Sequence, residues 1–152
     1  HGLKYGGWNE LAHFMGERMV RRAIPDDLQL GPYVVVPIPT TRRRMRVRGY
    51  NQARLLASVL SEELHKPLVD ALERCRNGST QVGLHPTQRR ANVTGVFSVR
   101  ADASAAIAGE RVLLVDDVLT TGSTAQAAAL ALVRAGTSQV FLSTFARAFP
   151  YV

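Results

Sequence analysis

The sequence predicts an α/β fold in which a mostly parallel β-sheet is flanked by helices. Two short apolar runs, at residues 33–38 and 112–115, are typical of parallel strands that are buried on both faces. Helix-forming segments follow both runs, and a third apolar stretch at 139–145 follows the last helix. Because a strand, helix, strand order favours right-handed crossovers and parallel pairing, a Rossmann-like architecture is expected.

The first half of the chain is predicted to contain two helices and two strands. Apolar residues at helical spacing predict a first helix over about residues 9–23, within an N-terminal helical region at 1–30: Trp8, Leu11, Ala12, Met15 and Met19. After the strand at 33–38, a second helix is predicted over 51–65, with Asn51 as a favourable N-cap. A short second strand is predicted near 68–72, parallel to the first.

The second half repeats this order. The strand at 112–115 is followed by good helix formers at 125–135, with Ser123 or Thr124 available as the N-cap and Gly136 after the last turn. Between the halves, residues 74–97 form a polar stretch that is long for a connection, which indicates a functional loop. With 152 residues, of which 46% are hydrophobic, the chain is expected to form one domain.

Two adjacent carboxylates, Asp116 and Asp117, follow the strand at 112–115 and precede a loop rich in hydroxyl groups. Ligands of parallel sheets bind outside the carboxyl ends of the strands. The N-terminus of the following helix attracts phosphate, Gly122 allows close backbone approach, and hydroxyl donors come from Thr120, Thr121, Ser123 and Thr124. Carboxylates only accept hydrogen bonds, so the two acids suit sugar hydroxyls or a hydrated Mg²⁺. The stretch therefore predicts a site for a phosphorylated sugar.

An arginine-rich segment follows the strand at 33–38, whose end is marked by Pro37 and Pro39. Its basic residues are Arg42, Arg43, Arg44, Arg46 and Arg48. Arginine binds phosphate oxygens through two hydrogen bonds and stays charged, so this cluster suits a diphosphate. The same pattern is equally typical of a solvent-exposed face or of a nucleic-acid-binding patch. The formal net charge of +7 favours an anionic substrate or a nucleic-acid partner.

The stretch at 112–124, VLLVDDVLTTGST, resembles the phosphoribosyl-diphosphate-binding motif of type I phosphoribosyltransferases. The VPIP strand end, the arginines and the RGYNQA element at 48–53 are similar, in this order, to the competence-associated ComF family. The alternatives are an ordinary strand, acidic turn and helix, or a Walker B strand. The Walker B alternative is weak, because a nucleotide triphosphatase also needs a G-x-x-x-x-G-K-[ST] loop and the chain has none. The resemblance covers about residues 3–147 and implies a type I phosphoribosyltransferase fold over 1–152, with a flexible hood loop at 74–97.

This resemblance implies a cytoplasmic transferase of nucleotide metabolism that uses 5-phosphoribosyl 1-diphosphate with Mg²⁺ and transfers phosphoribosyl to a nitrogen acceptor such as a nucleobase. Asp116 and Asp117 would hold the ribose, act in catalysis and contact Mg²⁺, largely through water or substrate. Further contacts would come from the hood residues Gln81, Arg90 and Asn92. The substrate-binding residues that it implies are Val115, Val118, Leu119, Thr120, Thr121, Gly122, Ser123, Thr124, Pro37, Arg42, Arg43, Arg44 and Arg89.

The alternative is a protein that keeps this fold but acts in competence, DNA uptake or recombination. It would bind single-stranded DNA or a helicase-like partner, with residues 42–48 on the nucleic-acid backbone and Tyr50 as a stacking surface. The family often carries a cysteine-rich zinc-binding module, whereas this sequence contains one cysteine, Cys75, which fits a reducing cytoplasm. No apolar stretch approaches the ~20 residues of a membrane span. Relatives with this fold are often dimers, so a homodimer is also expected.

Overall fold

A computed structural model describes residues 3–24, 28, 31–75 and 95–148, with side chains described from Glu10 onwards. The helices are α1 (Leu3–Arg22), α2 (Arg42–Arg48), α3 (Gln52–Leu64), α4 (Ser104–Ile107) and α5 (Ser123–Arg134). The strands are β1 (Val34–Pro37), β2 (Leu72–Arg74), β3 (Phe97–Val99), β4 (Arg111–Leu119) and β5 (Gln139–Arg147). A short 3₁₀ turn at Ala101–Ala103 leads into α4.

Strand β4 lies at the centre of a three-stranded parallel sheet, between β1 and β5. Its pairing with β1 runs from Val34 opposite Val112 to Pro37 opposite Val115. The pairing with β5 is longer and continues to Leu119, opposite Arg147. The predicted parallel α/β architecture is confirmed, and the carboxyl ends of all three strands meet at one edge of the sheet.

Both faces of the sheet are covered, which explains the continuous apolar run in β4. Val112 and Leu114 pack with residues of α4, α5 and the β2–β3 pair on one face. Leu113 and Val115 pack on the other face with residues of α1 and α3. The side chains of these four residues are fully buried, as expected for a parallel strand between two helical layers.

Helix α1 packs against α3 at Gly16. A Cβ atom at this position would lie 2.4 Å from Cγ1 of Val59, which is closer than two carbon atoms can approach. The missing side chain therefore lets the two helices approach closely. This contact holds the middle of α1 beside the sheet, where its apolar residues reach the ends of β4 and β5.

Several element boundaries differ from the prediction. Helix α1 begins at Leu3 rather than near residue 9, and the arginine-rich segment, for which no helix was predicted, forms α2. Strand β4 extends through both acids to Leu119, because β5 is equally long and continues the pairing. No helix within the described ranges has the length and apolar character that crossing a membrane requires.

The prediction of a second parallel strand near 68–72 is largely wrong. Residue Leu68 makes one isolated parallel bridge to Val35, and β2 instead pairs antiparallel with β3. The two strands are three residues each, too short for alternation to show in the sequence. They also correct the bounds of the predicted loop at 74–97, since Arg74 and Phe97 lie in strands, while residues 76–94 lie outside the described residues.

Candidate functional site

A polar cleft of about 350 Å³ lies at the carboxyl ends of β1 and β4. Its walls come from the segment after β1, from α2, from the start of α3, from the end of β2 and from the β4–α5 loop. The described residues that line it are Ile38, Pro39, Thr40, Arg44, Arg48, Asn51, Gln52, Ala53, Arg74, Asp116, Asp117, Val118, Leu119, Thr120, Gly122, Thr124 and Ala125.

The two acids of the cleft are Asp116 and Asp117, both half-buried within β4. The backbone N–H of Asp117 donates to Oδ1 of Asp116 at 2.9 Å, and the N–H of Val118 donates to Oδ1 of Asp117 at 2.9 Å. These local bonds engage one oxygen of each carboxylate and orient it. The arrangement suits ligand hydroxyl groups, which can donate to the acceptor oxygens.

Burial raises the pKa of Asp116 to about 6, and the side chain of the neighbouring Asp117 acts in the same direction. The Asp117 N–H and the positive charge of Arg74 oppose this rise but are weaker than burial. The Asp116 carboxyl group therefore titrates closer to neutral pH than an ordinary aspartate. A bound donor or cation that stabilises its charge would lower this pKa.

The loop between β4 and α5 turns at Gly122, which has a φ of 81°. Gly122 is the N-cap of α5, so the prediction of Ser123 or Thr124 as the cap is wrong; the turn needs a left-handed residue, which glycine adopts without strain. The hydroxyl of Thr121 lies 3.0 Å from that of Ser123 and also accepts from the Ser123 N–H at 3.4 Å. Gly122, Thr124 and Ala125 line the cleft, so the first turn of α5 opens onto it, as an anion site requires.

Helix α2 divides its arginines between two faces. Thr41 caps the helix by accepting from the N–H of Arg44 at 3.2 Å. Arg44 and Arg48 are one turn apart, line the cleft, and Arg48 donates to the Gln52 side chain. All five arginines are exposed, but Arg42, Arg43 and Arg46 are not among the described residues that line the cleft.

Sequence reasoning missed Arg74, the last residue of β2. Its Nε donates to the carbonyl of Pro39 at 2.9 Å, and its guanidinium lies 4.6 Å from the ring centroid of Phe97. Burial lowers the pKa of Arg74, the like charge of Arg44 lowers it further, and Asp116 raises it. Two guanidinium groups that repel each other across a cleft favour an anion between them.

Asn51 stands at the N-cap position of α3, as predicted, but its side chain makes no capping hydrogen bond. Its Nδ2 instead donates to the carbonyl of Ile38 at 3.0 Å. Ile38 is buried, and a buried carbonyl requires a donor. The Asn51 amide therefore ties the start of α3 to the chain leaving β1.

The structure brings together most of the predicted site. Asp116, Asp117, Val118, Leu119, Thr120, Gly122, Thr124 and Arg44 line the cleft. Val115 and Pro37 are buried in the sheet, and four exposed residues are not among the described lining residues: Thr121, Ser123, Arg42 and Arg43. The predicted loop residues lie outside the described residues: Gln81, Arg89, Arg90 and Asn92.

The chain matches a family model described as phosphoribosyl transferase domain over residues 50–148. It is 38% identical over 118 residues to competence protein F of Haemophilus influenzae, covering 77% of this chain and 51% of that protein. It is 32% identical over 145 residues to the DNA utilization protein YhgH of Escherichia coli K12, covering 92% of this chain and 62% of that protein. The chain thus spans about half to three fifths of the length of these curated relatives.

Two solved structures share the fold at low sequence identity. Glutamine phosphoribosylpyrophosphate amidotransferase from B. subtilis superposes with a TM-score of 0.62 and 19% identity, over 90% of this chain and 26% of that chain. Orotate phosphoribosyltransferase from Aeropyrum pernix superposes with a TM-score of 0.50 and 19% identity, over 91% and 70% of the two chains. At this identity the likeness shows the fold alone.

We expect Asp116→Asn to stabilise the ligand-free protein at about pH 8 and to lose this advantage as the pH falls through about 6 towards 4. Above a pH of about 6, the folded wild type must hold a poorly solvated carboxylate, whereas at low pH the group is protonated in both the folded and the unfolded chain. Thermal unfolding across this pH range measures the difference.

The control is Asp102→Asn, at an exposed carboxylate whose pKa Arg100 holds low through a hydrogen bond. This change should raise stability at none of these pH values. An Asp116→Asn variant that is no more stable than the wild type at about pH 8 would show that burial of the Asp116 charge is not costly.

Proposed function

Since the chain belongs to the phosphoribosyl transferase domain family, with a type I phosphoribosyltransferase fold, and to its competence-associated ComF branch, we propose that the polar cleft binds 5-phosphoribosyl 1-diphosphate. The resemblance found in the sequence is thereby confirmed at the level of family and fold. One observation carries the proposal: a helix N-terminus, two carboxylates and three guanidinium groups line the same cleft. We also propose that residues 1–152 form one such domain.

Each chemical part of the ligand has a matching group in the cleft. The 5′-phosphate suits the first turn of α5 and the hydroxyls of Thr120 and Thr124. The ribose hydroxyls suit the carboxylates of Asp116 and Asp117, and the diphosphate suits the guanidinium groups that line the cleft: Arg44, Arg48 and Arg74. The combination favours a phosphorylated sugar with a second anionic group over a simple phosphate.

Mg²⁺ fits this donor set as an ion that the substrate largely holds. Within the described ranges, no three acidic, histidine or cysteine side chains are grouped to form a metal cage. Mg²⁺ typically keeps several waters and uses one or two carboxylates together with substrate phosphates. Asp116 and Asp117 would supply those carboxylates, and the bound ion would neutralise charge on the diphosphate.

We further propose that the cleft supports phosphoribosyl transfer to a nitrogen acceptor. An acceptor nitrogen forms a bond to C1 of the ribose, the bond from C1 to the diphosphate oxygen breaks, and the diphosphate leaves with the bonding electrons. The acceptor then releases its proton to a carboxylate or to water. Arg44, Arg48 and Arg74 would stabilise the leaving charge, while the acids would orient the ribose and stabilise positive charge at C1.

A second candidate function is binding of single-stranded DNA. The relatives are named for competence and DNA utilization, and α2 carries three exposed arginines away from the cleft. No ion pair or hydrogen bond involves the side chains of Arg42, Arg43 or Arg46 within the described part of the chain. Such cations suit a phosphate backbone, which is bound through charge rather than base sequence.

A cytoplasmic location and a homodimer remain predictions.

The donor proposal predicts that Arg44→Ala weakens binding of phosphoribosyl diphosphate by roughly tenfold or more, because a charge-assisted hydrogen bond is lost. Arg43→Ala is the matched control, since it removes the same charge from the neighbouring position, which is exposed like Arg44 but is not among the residues that line the cleft. It should change the affinity by less than about twofold. Calorimetric titration with Mg²⁺ present measures both; equal losses would show that the ligand responds only to the overall charge of α2.

The DNA proposal predicts that the two faces of α2 differ. Arg42→Ala/Arg46→Ala removes two outward cations, and Arg44→Ala/Arg48→Ala removes two that line the cleft. We expect the first pair to weaken binding of a fluorescent oligothymidylate several-fold and to flatten its salt dependence, whereas the second pair has a smaller effect. Fluorescence anisotropy at several salt concentrations is the measurement. No affinity for the oligonucleotide even at low salt would rule out this function.

A further inference from the structure

A second cavity, of about 130 Å³, lies beside the polar cleft and is almost entirely apolar. It is formed between α1, the start of α3 and the ends of β4 and β5. The apolar residues that line it include Leu11, Met15, Leu55, Leu56 and Phe145. Two of these residues are unusually exposed for large apolar residues: Leu11 at 41% and Phe145 at 39%.

The two cavities adjoin each other. Gln52, Asp117 and Val118 line both the polar cleft and the apolar cavity. Strand alternation places Asp117 on the same side of β4 as Leu113 and Val115, which is the side covered by α1 and α3. The carboxylate that we assign to the ribose therefore also stands in the wall of the apolar space.

The size and walls of the cavity restrict what it can hold. An apolar cavity of roughly 150 Å³ accommodates a benzene ring, so this space suits one ring, with a fused second ring extending towards the cleft. The polar side chains among the described wall residues are Tyr50, Gln52 and Asp117. The Gln52 amide oxygen already accepts a hydrogen bond from Arg48. Within the described walls, few polar groups therefore remain to recognise a ring with several polar substituents.

We propose that this cavity binds the acceptor of the reaction, and that the acceptor is an uncharged, largely apolar nitrogen heteroaromatic ring. This inference depends on the proposed donor site. Burial of the exposed apolar walls favours a flat ring, and the negative charge of Asp117 disfavours an anionic ring. Asp117 also accepts a hydrogen bond from a ring N–H, which directs the nitrogen edge towards the cleft.

The transfer step is balanced with such a ring. The lone pair of the ring nitrogen that carries no hydrogen forms the new bond to C1, and the diphosphate leaves with the electrons of the broken bond from C1 to oxygen. The second ring nitrogen loses its proton to the carboxylate of Asp117, which passes it to water. The product ring is neutral, and its formation needs no oxidant and no further reactant.

The test uses benzimidazole as the uncharged ring and orotate as the anionic ring, each titrated into the protein with phosphoribosyl diphosphate and Mg²⁺. Ligand-detected NMR measures binding, and chromatography detects a ribosylated product. We expect benzimidazole to bind at least about tenfold more tightly than orotate. Phe145→Ala should weaken benzimidazole binding by about tenfold, because one aromatic wall of the cavity is lost.

Phe14→Ala is the matched control. Phe14 also lies on the protein surface, 52% exposed, with the Arg18 guanidinium 4.9 Å from its ring centroid, and it is not among the residues that line the cavity. This variant should bind benzimidazole as the wild type does. Unchanged affinity of both variants for phosphoribosyl diphosphate would show that they are folded.

The outcomes separate this inference from the donor proposal. Binding of phosphoribosyl diphosphate without binding of benzimidazole, or with tighter binding of orotate, would overturn the acceptor assignment and leave the donor site standing. Equal losses in Phe145→Ala and Phe14→Ala would place the ring elsewhere and would also overturn it. Failure of phosphoribosyl diphosphate to bind would overturn the donor proposal, and with it the acceptor role.

Discussion

The candidate site depends on one backbone hydrogen bond at the end of the sheet, from the N–H of Ile38 to the carbonyl of Val115 at 2.9 Å. Pro37 and Pro39 have no N–H, so Ile38 provides the only such donor between them. The bond extends the pairing of β1 with β4 by one residue, so that the chain leaves β1 next to Asp116. Asn51 binds the carbonyl of the same residue at 3.0 Å. The exit of β1, the acids of β4 and the start of α3 are therefore held together through Ile38.

The cleft brings together carboxylates and guanidinium groups whose opposite charges only partly neutralise each other. Burial raises the pKa of Asp116 to about 6 and lowers that of Arg74, while Arg44 and Arg74 repel each other. A ligand that offers hydroxyl donors to the acids and anionic oxygens to the arginines improves each of these interactions. The adjoining apolar cavity adds a region where an uncharged ring is favoured. Polar and apolar recognition thus meet at Asp117, which borders both spaces.

The sequence predicted the main sheet and the hydroxyl-rich loop because buried parallel strands produce continuous apolar runs, and because the acids and glycine follow one of these runs directly. It did not predict that β4 continues through both acids. It did not predict α2, since seven exposed residues provide no apolar periodicity; its cap at Thr41 depends on local geometry. For the same reason it could not separate Arg44 and Arg48 from their outward neighbours. Arg74 was missed because its position depends on the β2–β3 pairing and on Pro39, distant in sequence.

The most direct test compares phosphoribosyl diphosphate with its two parts, ribose 5-phosphate and diphosphate, by calorimetric titration with Mg²⁺ at constant ionic strength. If one cleft holds both ends of the ligand, the intact compound should bind at a single site at least about tenfold more tightly than either part, and each part should compete with it. Diphosphate that binds as tightly as the intact compound, without competition from ribose 5-phosphate, would contradict the account. It would show that the arginines form only a general anion site.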